Sequence, residues 1–71
     1  MQKNNSGIMK IIVNEEKRAR TKYSTICLTK GKIYESTGIE LTINNEPLCR
    51  VIDDSNEDYL YPLSLFDIVE E

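Results

Sequence analysis

The chain of 71 residues contains no histidine and no tryptophan, and it has only two prolines and two cysteines. Without histidine it lacks the commonest general base and the commonest metal ligand of proteins. Its apolar runs are short, and none approaches the roughly 20 residues that a membrane-spanning helix needs. Residues 1–7 lack the apolar core of a secretory signal peptide. These absences predict a cytoplasmic, non-catalytic protein that uses no metal or other cofactor and does not associate with a membrane.

The two cysteines, Cys27 and Cys49, both lie among strand-forming residues. Because nothing marks the chain as secreted, we expect two reduced, half-buried thiols rather than a disulfide. Two thiols without histidine are too few for a structural zinc site within one chain, although two chains together would supply four. The length allows one domain, near the lower limit for independent folding.

The net charge of −3 conceals an uneven distribution of charge along the chain. Residues 1–36 carry eight basic and three acidic groups, whereas residues 37–71 carry one basic and nine acidic groups. Such asymmetry can mark a surface for nucleic acid or for a protein partner. We favour the alternative, in which the two halves interleave in one small fold and partly neutralise each other, because charge runs are usually solvated faces.

The first half of the chain predicts strands separated by polar segments. A flexible polar extension over residues 1–8 precedes a short buried strand at residues 9–13. Residues 14–22 are highly charged and predict a solvated loop with a helical turn. Residues 23–28 are β-prone, and a turn follows at Gly31.

The middle of the chain predicts a bent strand and a hairpin. The strand begins at Ile33, and Gly38 indicates a bulge or sharp bend. Apolar and polar residues then alternate over residues 39–43, which is typical of a strand with one solvated face. The asparagines of residues 44–47 predict the hairpin turn, and the next strand occupies residues 48–53.

The last part predicts a turn at residues 55–58, a strand at residues 59–61 and a 3-10 turn from Pro62, which cannot donate to a ladder. A final strand covers residues 67–70. Five to six short strands with closely spaced turns predict an all-β fold, a small antiparallel barrel over residues 9–71. Its predicted core consists of Ile11, Val13, Leu28, Tyr34, Leu41, Val51, Leu60, Phe66 and Ile68.

Three segments resemble a known group of proteins. They are residues 28–34 (Leu-Thr-Lys-Gly-Lys-Ile-Tyr), residues 52–59 (Ile-Asp-Asp-Ser-Asn-Glu-Asp-Tyr) and residues 61–69, with Tyr-Pro and a Leu-Phe-Asp-Ile-Val ending. Over residues 9–69 the chain resembles small SH3-like barrel proteins, mostly uncharacterised, of low-GC Gram-positive bacteria and their phages. The resemblance implies an SH3-like barrel with one 3-10 turn, and a small accessory binding protein such as a phage-encoded inhibitor of a host protein.

Two departures from that group bear on recognition. Asn56 stands where the group often has glycine, and asparagine also tolerates the left-handed backbone conformation. The loop over residues 14–26 is longer and more basic than in the group. We therefore expect whatever is particular to this protein to lie in this loop.

The basic loop carries the first candidate site: Lys17, Arg18, Arg20 and Lys22, followed by Tyr23. These cations could bind phosphates while the tyrosine stacks on a base, or they could bind an anionic patch on a protein or a small nucleotide. The acidic overall composition argues against a nucleic-acid binder. We therefore favour a protein partner, with nucleic acid or nucleotide binding as the alternative.

The acidic turn carries the second candidate site: Asp53, Asp54, Glu57 and Asp58. It lacks the spacing of an EF-hand, and no group that would complete a catalytic centre accompanies it. We interpret it as a solvated turn in which Asp53 or Asp54 caps backbone amides. It also forms the other side of a binding surface, and its charge could pair head-to-tail with the basic loop of a second copy in a homodimer.

Four tyrosines are the third candidate: Tyr23, Tyr34, Tyr59 and Tyr61. SH3 domains bind polyproline segments through exposed aromatic residues, but their usual groove also needs a tryptophan. Tyr59 and Tyr61 share one sheet face, opposite Leu60. We expect the tyrosines to be mainly core residues with solvated hydroxyls.

Overall fold

The computed structural model describes residues 8–69, which form one antiparallel sheet with little helix. The strands are β1 (Met9–Val13), β2 (Ile33–Ile43), β3 (Glu46–Ile52), β4 (Asp58–Pro62) and β5 (Phe66–Ile68). One short helix, α1 (Glu15–Arg18), follows β1, and a 3-10 turn (Leu63–Leu65) joins β4 to β5. The predicted all-β fold is confirmed, and so is the 3-10 turn.

The strand order across the sheet is β4-β3-β2-β1-β5. Strands β4 and β5 lie at opposite edges and do not pair, so the sheet is open and the expected closure into a barrel is not confirmed. Within residues 8–69 no helix has the length and apolar character needed to cross a membrane. The extension predicted at residues 1–8 lies outside the described residues except for Ile8, which is exposed.

Strand β2 is long and bent, and it pairs with a different neighbour at each end. Its first part pairs with β1, for example Tyr34 with Ile11, and its second part pairs with β3. The register with β3 shifts twice between Ser36 and Leu41. Gly38 lies at the first shift with φ of 110°, a conformation that glycine adopts readily. The predicted bulge at Gly38 is therefore confirmed.

Asparagines form the tight turns, as the sequence predicts. Asn44 and Asn45 have φ of 52° and 66° in the two-residue turn between β2 and β3. Both values suit a hairpin whose twist matches that of its strands. Asn56 has φ of 67° in the turn between β3 and β4, so it takes the left-handed position expected of it.

The core confirms six of the predicted residues and corrects three. Its buried members are Ile11, Val13, Leu28, Tyr34, Cys49, Val51, Tyr61, Leu65 and Phe66. The rings of Tyr61 and Phe66 meet edge to face with centroids 6.0 Å apart. The prediction is wrong for Leu41 and Ile68, which are 39% and 57% exposed, and for Leu60, which is only half-buried. Leu41 lies where β2 continues past its pairing with β1, and Ile68 lies on an edge strand.

The β-prone segment of residues 23–28 forms no strand, so that expectation is wrong. It belongs instead to the long connection between α1 and β2. Leu28 enters the core, and the Cys27 carbonyl accepts a hydrogen bond of 2.8 Å from the Asp54 amide. These contacts fix the end of the loop against the acidic turn. The final strand lies at Phe66–Ile68 rather than at residues 67–70, and Glu70 is outside the described residues.

Candidate binding surface

The basic loop begins at a capped helix that is held against the last strand. The Asn14 side chain accepts a hydrogen bond of 3.0 Å from the Lys17 amide, which satisfies a free donor at the start of α1. Its side-chain amide donates to both carboxylate oxygens of Asp67, at 3.2 and 3.3 Å. The Asn14 backbone amide donates to the Leu65 carbonyl at 2.9 Å. The start of the loop therefore has a fixed position beside the 3-10 turn.

Arg18 closes the basic loop on itself instead of facing solvent. Its Nη1 donates to the Leu28 carbonyl at 2.9 Å, and its Nη2 lies 3.1 Å from Oε2 of Glu15. Only 24% of its side chain is exposed. Of the four predicted cations, Arg18 therefore has a structural position, since it joins the first turn of the loop to its last residues.

The other three cations lie beside a groove of about 480 Å³ between the basic loop and the 3-10 turn. This basic groove is lined by Lys17, Arg20, Thr21, Lys22, Tyr23, Glu46, Pro62, Ser64 and Leu65. Pro62 and Leu65 are buried and form an apolar floor. Arg20 is well exposed, and its guanidinium lies 3.5 Å from the carboxylate of Glu16. The groove thus combines exposed cations with an apolar surface.

One carboxylate, Glu46, lies in the lining of the basic groove. Its Oε2 accepts a hydrogen bond of 2.9 Å from the Ser64 hydroxyl, so it joins β3 to the 3-10 turn. The sequence indicates neither Glu46 nor the groove floor as part of a site. The Tyr61-Pro62 pair before the 3-10 turn is the one local signal for the floor, because it predicts where β4 ends.

Asp53 closes the acidic turn from inside the protein. Its Oδ1 accepts hydrogen bonds from the Ser55 hydroxyl and from the Ser55 amide at 2.9 Å, and its Oδ2 accepts from the Tyr61 hydroxyl at 2.6 Å. Burial acts to raise the pKa of Asp53, but these hydrogen bonds outweigh it and hold the pKa below its usual value. Burial, together with the bond to Asp53, raises the pKa of Tyr61. The predicted cap is confirmed for Asp53, although the Tyr61 hydroxyl is bonded to protein rather than to solvent.

Asp54 joins the acidic turn to the turn at Gly31. Its Oδ1 accepts from Lys32 Nζ at 2.7 Å and from the Tyr34 hydroxyl at 2.9 Å, and its Oδ2 accepts from the Thr29 hydroxyl at 2.7 Å. The hydrogen bond from Lys32 is the main reason that the pKa of Asp54 falls to about 2. The ammonium of Lys32 also lies 5.2 Å from the centre of the Tyr34 ring. Asp54 is therefore engaged within the protein.

Glu57 and Asp58, like Asp54, are exposed residues of the acidic turn, but their carboxylates make fewer contacts within the protein. Glu57 accepts a hydrogen bond of 2.9 Å from the Tyr59 hydroxyl. Asp58 lies 3.6 Å from Arg50, whose guanidinium also makes two hydrogen bonds, of 2.8 and 3.1 Å, to Glu40. These two carboxylates keep their charge at the surface, whereas those of Asp53 and Asp54 are held by hydrogen bonds to other parts of the protein.

A second pocket, of about 360 Å³, lies between the basic loop and the acidic turn. This tyrosine pocket is lined by Tyr23, Ser24, Ile26, Cys27, Asp53, Ser55, Tyr59, Leu60 and Tyr61. Tyr23 and Tyr59 are about half exposed, so the prediction that the tyrosines are mainly core residues is confirmed for Tyr34 and Tyr61 and wrong for these two. Tyr23 also lines the basic groove. The fold therefore places the two predicted sites side by side, with Tyr23 between them. Ile26 and Cys27, which the sequence does not indicate as site residues, are members of the pocket.

In the described part of the chain, no three or more histidine, cysteine, aspartate or glutamate side chains are grouped so that they could hold a metal ion. Both cysteines are free thiols. Comparison of the chain with protein-family models, with curated proteins and with solved structures found no match.

Proposed function

We propose that this protein is a non-catalytic binding module whose basic groove binds an acidic segment of a protein partner. One observation carries the proposal: the exposed cations Lys17, Arg20 and Lys22 lie beside an apolar floor in a single groove. Carboxylates of the partner would form charge-assisted hydrogen bonds with the cations. An apolar side chain of the same segment would pack against the half-exposed ring of Tyr23, above the floor formed by Pro62 and Leu65.

The mixture of surfaces favours a peptide over a nucleic acid. A nucleic-acid site needs a series of phosphate contacts along a basic face. Here the cations that line the groove all come from the basic loop, Glu46 lies among them, and the carboxylates of Glu57 and Asp58 are exposed on the neighbouring acidic turn. Those carboxylates would repel a phosphate backbone that extended past the groove.

We further propose that the chain is an SH3-like barrel protein, for instance a phage-encoded accessory protein or inhibitor of a host protein acting in the cytoplasm. The meander of β2, β3 and β4, the pairing of β1 with β5 and the 3-10 turn before the last strand support the fold. The motifs at residues 28–34, 52–59 and 61–69 support the family. The position of the groove, between the long first loop and the 3-10 turn, supports recognition through the loop.

The test is a binding titration with a synthetic peptide that carries three glutamates and a leucine. Arg20→Glu should weaken binding about tenfold or more, because it replaces an attraction with a repulsion in the groove. Lys30→Glu is the matched control, since it makes the same change of charge at an exposed position outside the groove and should alter affinity less than about twofold. Arg18→Ala should instead lower the unfolding temperature, because Arg18 holds the loop together.

Three other outcomes would contradict the proposal. If Arg20→Glu and Lys30→Glu weaken the peptide equally, the groove is not the site. If single-stranded DNA binds more tightly than the peptide, with an affinity that falls steeply with salt, the nucleic-acid alternative replaces it. An unfolding temperature raised by a nucleotide alone would favour nucleotide sequestration.

A further inference from the structure

We propose that the tyrosine pocket binds an arginine side chain of the same partner segment. The proposal rests on the proposed function, because the arginine would lie on the same segment as the acidic residues that occupy the basic groove. The pocket and its charge are independent observations, however, and they can be tested on their own.

The charge of the tyrosine pocket is opposite to that of the basic groove. Its lining contains one carboxylate, Asp53, and no cation. The exposed carboxylate of Glu57 lies next to it, bonded to the hydroxyl of Tyr59. The groove, in contrast, has Lys17, Arg20 and Lys22 in its lining against Glu46 alone. The pocket therefore favours a cationic occupant.

The aromatic rings make a guanidinium the best-suited cation. Tyr23 and Tyr59 are 46% and 49% exposed, so both offer ring surface to a ligand. A planar guanidinium stacks on such rings and gains electrostatic attraction from their faces. The bond from Tyr59 to Glu57 fixes a carboxylate at the edge of one ring, where it can accept hydrogen bonds from the bound guanidinium.

Ile26 adds an exposed apolar side chain to the lining of the pocket. It is 89% exposed on the basic loop, although it lines the pocket. The three methylenes of an arginine would bury part of this isoleucine side chain, which a bare metal ion would not. The oxygens of Asp53 already accept three hydrogen bonds, so this carboxylate contributes its charge rather than a direct contact.

Tyr23 connects the two sites, because it lines both of them. An extended peptide advances about 3.3 Å per residue, so a separation of a few residues would carry it from one cavity to the next. The predicted ligand is thus a segment in which an arginine lies a few residues from the acidic residues, on either side of them.

The pocket is tested first with a small probe, N-acetyl-arginine amide, titrated into the 15N-labelled protein and followed by NMR. The backbone amides of Ile26, Cys27 and Tyr59 should shift, whereas those of Ser64 and Leu65 in the groove should not. N-acetyl-citrulline amide is the matched control, since it has the same shape without the charge, and its shifts should be at least fivefold smaller at equal concentration. Equal shifts from the two probes, or shifts confined to the groove, would overturn the proposal.

Variants locate the interaction within the pocket. Tyr59→Phe keeps the ring and should bind the arginine probe within about threefold of the wild type, whereas Tyr59→Leu removes the ring and should reduce binding at least fivefold. Glu57→Gln should also weaken it. If Tyr59→Leu binds the probe as well as the wild type, the ring does not hold the guanidinium and the proposal fails. The comparison of arginine with citrulline on the wild type stands even if a variant is unstable.

Acidic peptides separate this proposal from the one on which it rests. With the arginine placed at one end of the acidic peptide or at the other, at least one of the two peptides should bind at least fivefold more tightly than its counterpart with citrulline in place of arginine. Equal affinities in both pairs would overturn the arginine site and leave the acidic groove intact. If none of these peptides binds but the arginine probe still shifts the pocket, the proposed function fails and the arginine site remains.

Discussion

At the scale of the residue, two adjacent aspartates illustrate how neighbouring identical side chains acquire separate roles. Asp53 points inward and closes its own turn through Ser55 and Tyr61. Asp54 contacts a different turn through Thr29 and Lys32. Successive side chains at the end of a strand face opposite ways, which is why one motif serves two contacts.

Asp54 should make the stability of the protein depend on pH. Its folded pKa of about 2 lies below the ordinary value of 3.8, so its carboxylate stabilises the fold fully above about pH 5. This contribution is lost as the pH falls through 4 towards 2, because protonation then removes the partner of Lys32. We expect Asp54→Asn to lower the unfolding temperature by several degrees at pH 7 and by progressively less towards pH 2. Circular dichroism melting curves of the two proteins, recorded from pH 7 to pH 2, give the difference between their unfolding temperatures.

Asp58→Asn is the control for that pH series. The Asp58 side chain is 59% exposed, against 27% for Asp54, and its ion pair with Arg50 is longer, at 3.6 Å. It should change the melting curve much less at every pH. A difference between Asp54→Asn and wild type that stays constant from pH 7 to pH 2 would contradict the assignment of the network to the ionised carboxylate.

The sequence reveals the local half of this network and not the distant half. An aspartate two residues before a serine predicts the turn that Asp53 makes with Ser55. Thr29 lies 25 residues from Asp54, and Lys32 lies 22 residues away. Nothing in the pattern of residues 53–58 indicates those partners, since they depend on how the two turns approach each other in the folded chain. Arg18 was similarly indistinguishable from the other cations of its loop.

At the scale of the element, the hairpin between β2 and β3 depends on backbone conformation at two asparagines. Asn45 has φ of 66°, which glycine adopts freely and alanine adopts at a cost of about 1 kcal/mol or more. We expect Asn45→Ala to lower the free energy of unfolding by about 1 kcal/mol, while Asn45→Gly should leave it within about 0.5 kcal/mol or raise it. Urea denaturation gives both values. If alanine is tolerated as well as glycine, the turn does not have this conformation in solution.

Turns and strands were predictable where they depend on nearby residues of the sequence, and they were missed where they depend on a neighbouring strand or layer in the fold. The turns at Gly31, Asn45 and Asn56 follow from residues that tolerate positive φ, and all three are confirmed. Residues 23–28 have β propensity, but they have no strand beside them and remain a loop. Leu41 follows an alternating pattern that correctly indicates a strand, yet the pattern cannot show that no layer covers that part of β2.

At the scale of the whole molecule, the two oppositely charged halves of the chain interleave only in part. Strand β2 lies between β1 and β3, and the ion pair of Lys32 with Asp54 joins the basic half to the acidic half at 2.7 Å. Arg18, Arg20 and Arg50 pair with carboxylates from their own half. The fold therefore keeps the basic groove and the exposed end of the acidic turn as separate surfaces.

The buried thiol of Cys49 should report global unfolding. Cys49 is fully buried, and burial raises its pKa, whereas Cys27 is half-buried in the loop. We expect a thiol reagent to modify Cys27 at least about 100-fold faster than Cys49 under native conditions. In Cys27→Ser, the rate at Cys49 should rise with urea in step with the equilibrium population of unfolded protein. Similar native rates at the two thiols would mean that β3 opens locally.

The length of β2 has a consequence for the behaviour of the protein in concentrated solution. Past its pairing with β1, and as far as the described residues extend, the strand presents an unpaired edge along Ile39, Leu41 and Ile43. Such edges template cross-β aggregation unless a charge protects them. Glu40 is the one charge in residues 37–43, and its pairing with Arg50 lowers its pKa, so it stays ionised to more acidic pH than a free glutamate. We expect this carboxylate to hinder edge-to-edge pairing of β2, and its hydrogen bond from Arg50 keeps it ionised into mild acid.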